Sequence, residues 1–147
     1  MNALIKLLDE KLEYIKHEIT DDTIKIWVES NKLEVICTYC NTTTSKVHSR
    51  YERSFQDLPL QGKKVVIIIN NRKMFCNNPN CNHKTFAETY DFLSPKGKKS
   101  KRLEDEIINI SMNVSSITAS NILSRHVAKV GKSTICNLLK KRNGNNK

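Results

Sequence analysis

The sequence has few of the residues that mark low-complexity or membrane-spanning chains. Of its 147 residues only 4 are glycine and 3 are proline, whereas 38% are hydrophobic. This composition is typical of a globular chain and excludes a disordered or collagen-like one. The apolar run at residues 65–69 is far shorter than the ~20 residues that cross a bilayer, and it predicts a buried strand. We therefore expect one ordinary domain or two small ones, without a membrane role and without a small-molecule substrate.

Acidic residues are scarce in most of the chain. Residues 1–36 contain 5 lysines and 8 acidic residues, whereas residues 37–147 contain 20 basic and 7 acidic residues. The formal net charge of +10 therefore resides on the later part, which indicates a polyanionic partner there. A lysine-rich surface that keeps the chain soluble is the simpler alternative, but it does not account for the asymmetry.

Cysteine is sparse too, yet four of the five cysteines form two close pairs. Two residues separate Cys37 from Cys40, and four separate Cys76 from Cys81. Two such turns supply the four thiolates of a tetrahedral site, and zinc favours that set of ligands. A disulfide framework would need an oxidising compartment, and the sequence shows no secretory signal. We predict one structural Zn²⁺ bound by these four cysteines.

Two further residues, His83 and Cys136, lie outside this set. His83 is an alternative ligand, but four cysteines already complete a tetrahedron. Cys136 has no candidate general base nearby in the sequence, so we expect a small core or boundary residue rather than a nucleophile.

The N-terminal part is expected to consist mainly of strands. Turn residues at 20–22 lie between two strand-like runs and predict a hairpin over 12–29, after a short helix at 3–8. Strand-like runs at 46–51 and 64–70, with a turn predicted over 57–62, lead toward the cysteine pairs at 37–40 and 76–81. Residues 1–93 are therefore predicted to form a zinc-ribbon-like β module.

The C-terminal part has a helical pattern. Pro95, Gly97 and five cations predict a basic linker at 94–102. Apolar residues then recur at helical spacing and predict three short helices within 103–142, with a tail at 143–147. N-caps are predicted at Ser100 for the first helix, at residue 115 or 116 for the second, and at Ser133 for the third. Gly131 before the last helix indicates a helix-turn-helix, although any small bundle has this spacing. The predicted fold class is α+β.

The cysteine pairs occur in a fixed order with other short motifs. These are Val-His-Ser-Arg-Tyr at 47–51, Asp-Leu-Pro at 57–59, Arg-Lys-Met-Phe-Cys at 72–76 and Thr-Phe-Ala-Glu at 85–88. Together they resemble the N-terminal region of the ISL-three family of bacterial insertion-sequence transposases. The resemblance implies a zinc module and a helix-turn-helix that bind double-stranded DNA at the terminal inverted repeats of a mobile element, in the bacterial cytoplasm or nucleoid.

In full-length members of that family, a metal-dependent acidic catalytic domain follows. We find no set of carboxylates suited to two-metal chemistry in this sequence, so we expect a chain without enzymatic activity. The resemblance leaves open whether the chain acts as a homodimer or with a separate catalytic partner.

A helix-turn-helix presents the start of its last helix to base edges, and cations elsewhere contact phosphates. On this interpretation the DNA-binding residues are Lys132, Ser133, Thr134, Asn137, Lys140 and Lys141 in the last helix, Lys98, Lys99, Lys101 and Arg102 in the linker, and Arg50, Arg72 and Lys73 in the zinc module. The simpler alternatives are that Ser133 only caps its helix and that the lysine run is a solvated linker.

Two other functions fit the same residues. A free-standing transcriptional regulator would use the same DNA surface without a catalytic partner. A zinc-ribbon interaction module would instead bind protein or RNA. A recognised site at element ends would favour the transposase-like function, and a site at a promoter would favour the regulator.

Overall fold

The computed structural model describes residues 1–112, 114 and 116–145, without the side chains of residues 116, 126 and 143–145. The architecture is α+β, as predicted, with strands in the N-terminal part and helices after them. The elements are α1 (Asn2–Leu8), β1 (Leu12–Ile19), β2 (Thr23–Ser30), β3 (Val35–Ile36), β4 (Thr43–Thr44), β5 (Val47–Leu60), β6 (Lys63–Phe75), β7 (Thr85–Ala87), α2 (Lys101–Ser111), α3 (Ser116–His126) and α4 (Lys132–Asn145).

Two antiparallel hairpins form most of the main sheet. β1 and β2 are the first hairpin, and β5 and β6 are the second. β2 and β6 pair in parallel, so the strand order is β1-β2-β6-β5, and β7 pairs with the end of β6. A separate two-stranded ribbon, β3 and β4, encloses the first cysteine pair.

The turn of the second hairpin differs from the sequence prediction. The turn predicted over residues 57–62 is wrong, because β5 continues to Leu60 and only Gln61 and Gly62 form the turn, with φ of 55° and 73°. Two residues with positive φ match the twist of the flanking strands. A register shift between Asp57 and Leu60 accommodates Pro59, which has no N–H to donate. Pairing with β6 thus outweighs the local turn chemistry.

β6 contributes to two different cores, one on each of its faces. Ile69 and Asn71 are buried on one face, whereas Arg72 and Met74 are buried on the other and Lys73 is exposed. Because side chains alternate along a strand, the buried face changes between Asn71 and Arg72. The strand therefore runs from one core into another.

The larger of these, the sheet core, lies between the sheet, α1 and the segment that follows β7. It contains Ile5, Leu12, Ile24, Ile26, Val28, Phe55, Val65, Ile67, Ile69, Tyr90, Phe92 and Leu93. The smaller one, the zinc core, contains Val35, Cys37, Met74 and Phe86, with the other paired cysteines packed against it.

The three C-terminal helices surround a core of their own. Its buried residues are Leu103, Ile107, Ala119, Leu123, Ala128, Val130 and Ile135. Ser100 caps α2 as predicted, since its hydroxyl accepts a hydrogen bond from the Leu103 N–H. Ile117, whose spacing with Ile122 and Leu123 predicts the second helix, is exposed instead of packed inward. No helix within the described residues is long and apolar enough to cross a membrane.

The N-caps predicted for α3 and α4 compare differently with the structure. Ser133 is not a cap, because α4 begins at Lys132 and the carbonyl of Gly131 accepts the bond from the Ile135 N–H, at 3.1 Å. The candidate cap at 115 and the last two residues of the predicted tail lie outside the described residues, and α3 begins at residue 116.

The lysine-rich segment before α2 is hydrogen-bonded to the edge of the sheet. The Gln56 N–H donates to the carbonyl of Lys98, and the Ser100 N–H donates to the carbonyl of Gln56, both at 2.9 Å. The Arg53 guanidinium donates to the carbonyls of Ser94 and Gly97 at 2.9 and 3.1 Å. The predicted linker at 94–102 is therefore fixed to the sheet by hydrogen bonds and connects the sheet to the helices. Its last two residues, 101 and 102, already belong to α2.

Candidate metal centre and nucleic-acid surface

The first cysteine turn closes the ribbon of β3 and β4. The Asn41 N–H donates to the carbonyl of Cys37, and the Cys37 N–H donates to the carbonyl of Thr42, both at 2.9 Å. Asn41 has a φ of 62°, which asparagine tolerates better than most residues. These bonds fold the backbone tightly enough to direct Cys37 and Cys40 to the same side.

The second cysteine turn connects β6 to β7. The Cys76 N–H donates to the carbonyl of Lys84 at 2.9 Å, and the Cys81 N–H donates to the carbonyl of Asn78 at 3.1 Å. The side chain of Asn78 also accepts from the Asn80 N–H at 3.0 Å. The wider spacing of this pair is thus taken up by a local turn around Asn78.

The two turns bring the four paired cysteines into one cluster. The Sγ atoms of Cys37, Cys40, Cys76 and Cys81 all lie within 4.8 Å of one another, and those of Cys40 and Cys76 are 3.4 Å apart. A tetrahedral Zn²⁺ with bonds of about 2.3 Å places its sulfur ligands about 3.8 Å apart. The cluster therefore has the number, type and spacing of ligands that zinc needs.

The thiols of the cluster oppose each other's ionisation. Hydrogen bonds from Thr42 lower the pKa of Cys40 to about 6. An N–H at Asn78 lowers the pKa of Cys76, but burial and the neighbouring thiols outweigh it and raise the pKa to about 12. Cys40 thus forms a thiolate easily, whereas Cys76 keeps its proton beside the neighbouring thiols. A divalent cation removes this resistance to ionisation, so the cluster suits a metal better than it suits free thiols.

Comparison with known protein families agrees with this geometry. Residues 34–84 match the family model described as the zinc-finger of transposase IS204/IS1001/IS1096/IS1165. No curated protein and no solved structure matches the chain. The chain has a site for one zinc ion, formed by the four clustered cysteines. The match ends before α2, so it gives no information about the helices.

The two further candidates, His83 and Cys136, have other surroundings. His83 stacks on Tyr39, with ring centroids 3.5 Å apart and planes 7° apart, so the rings join the two cysteine turns. Cys136 lies half-buried on α4 and outside the cluster.

Arg72, a predicted DNA contact, lies in a buried ion pair. Its Nε and Nη2 atoms donate to the two carboxylate oxygens of Glu88, both at 2.9 Å, and the exposed fractions of the two side chains are 8% and 0%. Ser30 and Tyr90 add hydrogen bonds at 3.3 and 3.4 Å. The bond to Glu88 raises the pKa of Arg72. We therefore exclude Arg72 from the DNA surface, because its guanidinium already has its partner.

Arg102 also forms an ion pair within the chain, with Asp57. Its Nε atom donates to Asp57 Oδ1 at 2.8 Å, Nη2 contacts Oδ2, and the Ser100 hydroxyl donates to Oδ1 at 2.7 Å. Asp57 is almost fully buried. Arg102 therefore anchors α2 to β5, and a role in binding phosphate is correspondingly disfavoured.

Arg50 and Lys73 are exposed, but they do not form one surface. Arg50 lies opposite Arg72 in the β5–β6 pair, whereas Lys73 is the next residue along β6. Consecutive side chains of a strand point to opposite faces, so Arg50 and Lys73 do so as well.

Four of the other predicted DNA residues share one cleft. Lys98, Lys99, Thr134 and Lys141 line one cleft between the lysine-rich segment and α4. An adjoining cleft is lined by Lys101 and Arg142. The structure places Lys132, Ser133, Asn137 and Lys140 on the exposed side of α4. Glu104 lies 3.9 Å from Lys141 and offsets part of this charge.

The sequence suggested Lys63 and Lys64 as candidate contacts of the zinc module, but it did not show that they share a groove with cations of the helical part. Arg125 and Lys129, on and after α3, share a groove with Lys63 and Lys64 at the start of β6. These residues are far apart in sequence and belong to no motif. The only signal available was the general excess of basic residues after residue 36.

Proposed function

We propose that this chain is a zinc-dependent, double-stranded-DNA-binding region of a transposase-like protein that recognises the terminal inverted repeats of a mobile element. The observation that carries the proposal is the convergence of Lys98 and Lys99 with Thr134 in one cleft, beside the exposed start of α4. The match of residues 34–84 to a transposase zinc-finger model supports the connection to mobile elements.

The arrangement of α3 and α4 supports a helix-turn-helix. Residues 127–131 join the two helices, and the Ser120 hydroxyl donates to the carbonyl of Val130 at 2.6 Å, which fixes the loop to α3. Ala119, Leu123 and Ile135 are buried between the helices. The opposite side of α4 is thereby left to solvent, as a helix that enters the major groove requires.

The exposed residues of α4 have the chemistry for reading bases. Asn137 can bond an adenine bidentately, while Lys132, Ser133 and Thr134 bond less selectively. Lys140 lies farther along the helix and suits a phosphate. We propose no catalytic residue in this chain, and strand cleavage and transfer would belong to a catalytic domain or partner.

DNA selection tests the proposal. The zinc-loaded chain is mixed with fragmented genomic DNA, and the retained fragments are sequenced. We expect one short motif, enriched at the ends of mobile elements, and its loss with Asn137→Ala but not with Asn121→Ala, a matched exposed change on α3. The same motif at promoters would instead identify a regulator. Retention without any motif would overturn sequence reading by α4.

A further inference from the structure

The groove between the tip of the second hairpin and the α3–α4 loop is strongly positive. It is a cleft of about 490 Å³ lined by four cations, Lys63, Lys64, Arg125 and Lys129, and by one acidic residue, Asp22. By contrast, the cleft beside residues 31–36 is lined by two lysines, Lys11 and Lys32, and by two acidic residues, Glu34 and Asp91. Positive charge is thus concentrated in the first groove.

The cations of this groove come from separate elements that the fold brings together. Lys63 and Lys64 begin β6, Arg125 lies in the last turn of α3, and Lys129 lies in the loop before α4. Lys64, Arg125 and Lys129 are exposed. Lys63 is held by the carbonyl of Thr20 at 2.9 Å.

The acidic residue of the groove is partly satisfied by its own turn. Asp22 Oδ1 accepts hydrogen bonds from the hydroxyls of Thr20 and Thr23, both at 3.2 Å. One carboxylate against four cations leaves a net formal charge of +3 in the groove, and three of these cations face solvent.

We propose that this groove binds the phosphate backbone of the same DNA that α4 reads. Lys129 lines the groove and lies three residues before Lys132, the first residue of α4, so the groove adjoins the end of α4 that is expected to meet the bases. Duplex DNA carries closely spaced phosphates, and cations from several elements along an open groove match such a chain of charges. The sheet and the helical module thus form one continuous DNA-binding surface. This inference rests on the proposed function.

The salt dependence of binding tests the groove. The variant is Lys64→Gln/Arg125→Gln/Lys129→Gln, and the matched control, Lys11→Gln/Lys25→Gln/Lys32→Gln, removes the same charge elsewhere on the chain. Affinity for a duplex is measured from about 50 to 200 mM salt, because each phosphate contact contributes close to one unit of slope in log K against log salt. We expect the groove variant to lower that slope by about 2 to 3 and the control to leave it nearly unchanged.

A hydroxyl-radical footprint on the selected duplex distinguishes the groove from a general charge effect. The groove variant is expected to lose protection on one flank of the site and to keep it where α4 binds. The zinc content and circular dichroism of each variant confirm its fold, and Lys129→Gln alone, with an expected slope change of about 1, serves if the triple variant does not fold.

The outcomes separate the two proposals. If the wild-type chain binds DNA and the groove variant matches the control in slope and footprint, the groove is not a phosphate contact and the proposed function stands. If the wild-type chain binds no duplex at all, both proposals are wrong.

Discussion

The sheet core and the zinc core share strand β6, yet they are stabilised in different ways. The sheet core buries twelve residues between the sheet, α1 and the aromatic segment around Phe92, whereas the zinc core buries four. Four buried residues provide too little apolar burial to hold the β3–β4 ribbon against the β6–β7 pair. The metal therefore has to supply the remaining stabilisation. One continuous strand can therefore connect a region that folds by burial to one that folds by coordination.

The junction between the two cores is a buried ion pair rather than an apolar layer. Arg72 and Glu88 lie where the buried face of β6 changes, and their bidentate geometry compensates part of the cost of removing both charges from water. The backbone is joined there as well, because the Glu88 N–H donates to the carbonyl of Arg72 at 2.9 Å.

The largest effect is expected from the loss of one zinc ligand. Cys37→Ser should abolish stoichiometric zinc binding, since structural zinc contributes about 10 kcal/mol or more to the folding of small zinc domains. Native mass spectrometry measures the zinc content. Cys136→Ser, outside the cluster, is the control and should keep one zinc ion. Zinc retained by Cys37→Ser would show that the four-thiolate assignment is wrong.

A cavity in the sheet core should lower the stability of the fold and leave zinc binding intact. Phe55 is almost fully buried and contacts Phe92, so Phe55→Ala should cost about 3–5 kcal/mol in urea unfolding. Below the unfolding transition the variant should still hold one zinc ion, because its cysteines are untouched. Leu33→Ala, at a residue that is 87% exposed, should change stability by about 0.5 kcal/mol or less. Zinc lost by Phe55→Ala in its folded state would contradict separate stabilisation.

Breaking the junction should affect both regions. Glu88→Gln leaves the Arg72 guanidinium buried without a counter-charge and should cost about 3 kcal/mol. Thermal unfolding and the zinc dissociation rate are both measured, with Glu52→Gln on the exposed part of β5 as the control. A change in only one of the two quantities would place the ion pair within that core rather than between them.

The smallest effect concerns alkaline pH. Burial raises the pKa of Tyr90 far above its ordinary value. The contribution of the neutral Tyr90 hydroxyl to the free energy of unfolding is therefore fully present below about pH 10, and it is lost as the pH rises from there toward the pKa of the folded state. The wild-type chain should lose up to about 1.4 kcal/mol per pH unit from this residue above pH 10, and Tyr90→Phe should remove that part of the slope. Tyr39→Phe, at an exposed residue, should not. Equal alkaline slopes for the wild type and Tyr90→Phe would contradict the burial of this hydroxyl.

The sequence predicts features formed by neighbouring residues better than it predicts contacts between residues that are distant along the chain. The spacing of Cys37, Cys40, Cys76 and Cys81 identifies the zinc site because the ligands of each pair are close along the chain. The change of buried face at Arg72 has no such signature, since an arginine between strand residues reads as an exposed cation until Glu88 is placed beside it. The groove at Lys129 likewise depends on the packing of helices against a hairpin tip.

Hydrogen exchange with and without a chelator tests the central claim most directly, because it reports on both cores in one chain. Removal of zinc is predicted to abolish amide protection at Cys37, Asn41, Cys76 and Cys81 and to preserve it in the β2–β6 pairing between residues 24–28 and 65–69. Protection lost from both regions together would contradict the account, because it would show that the sheet core cannot stand without the metal.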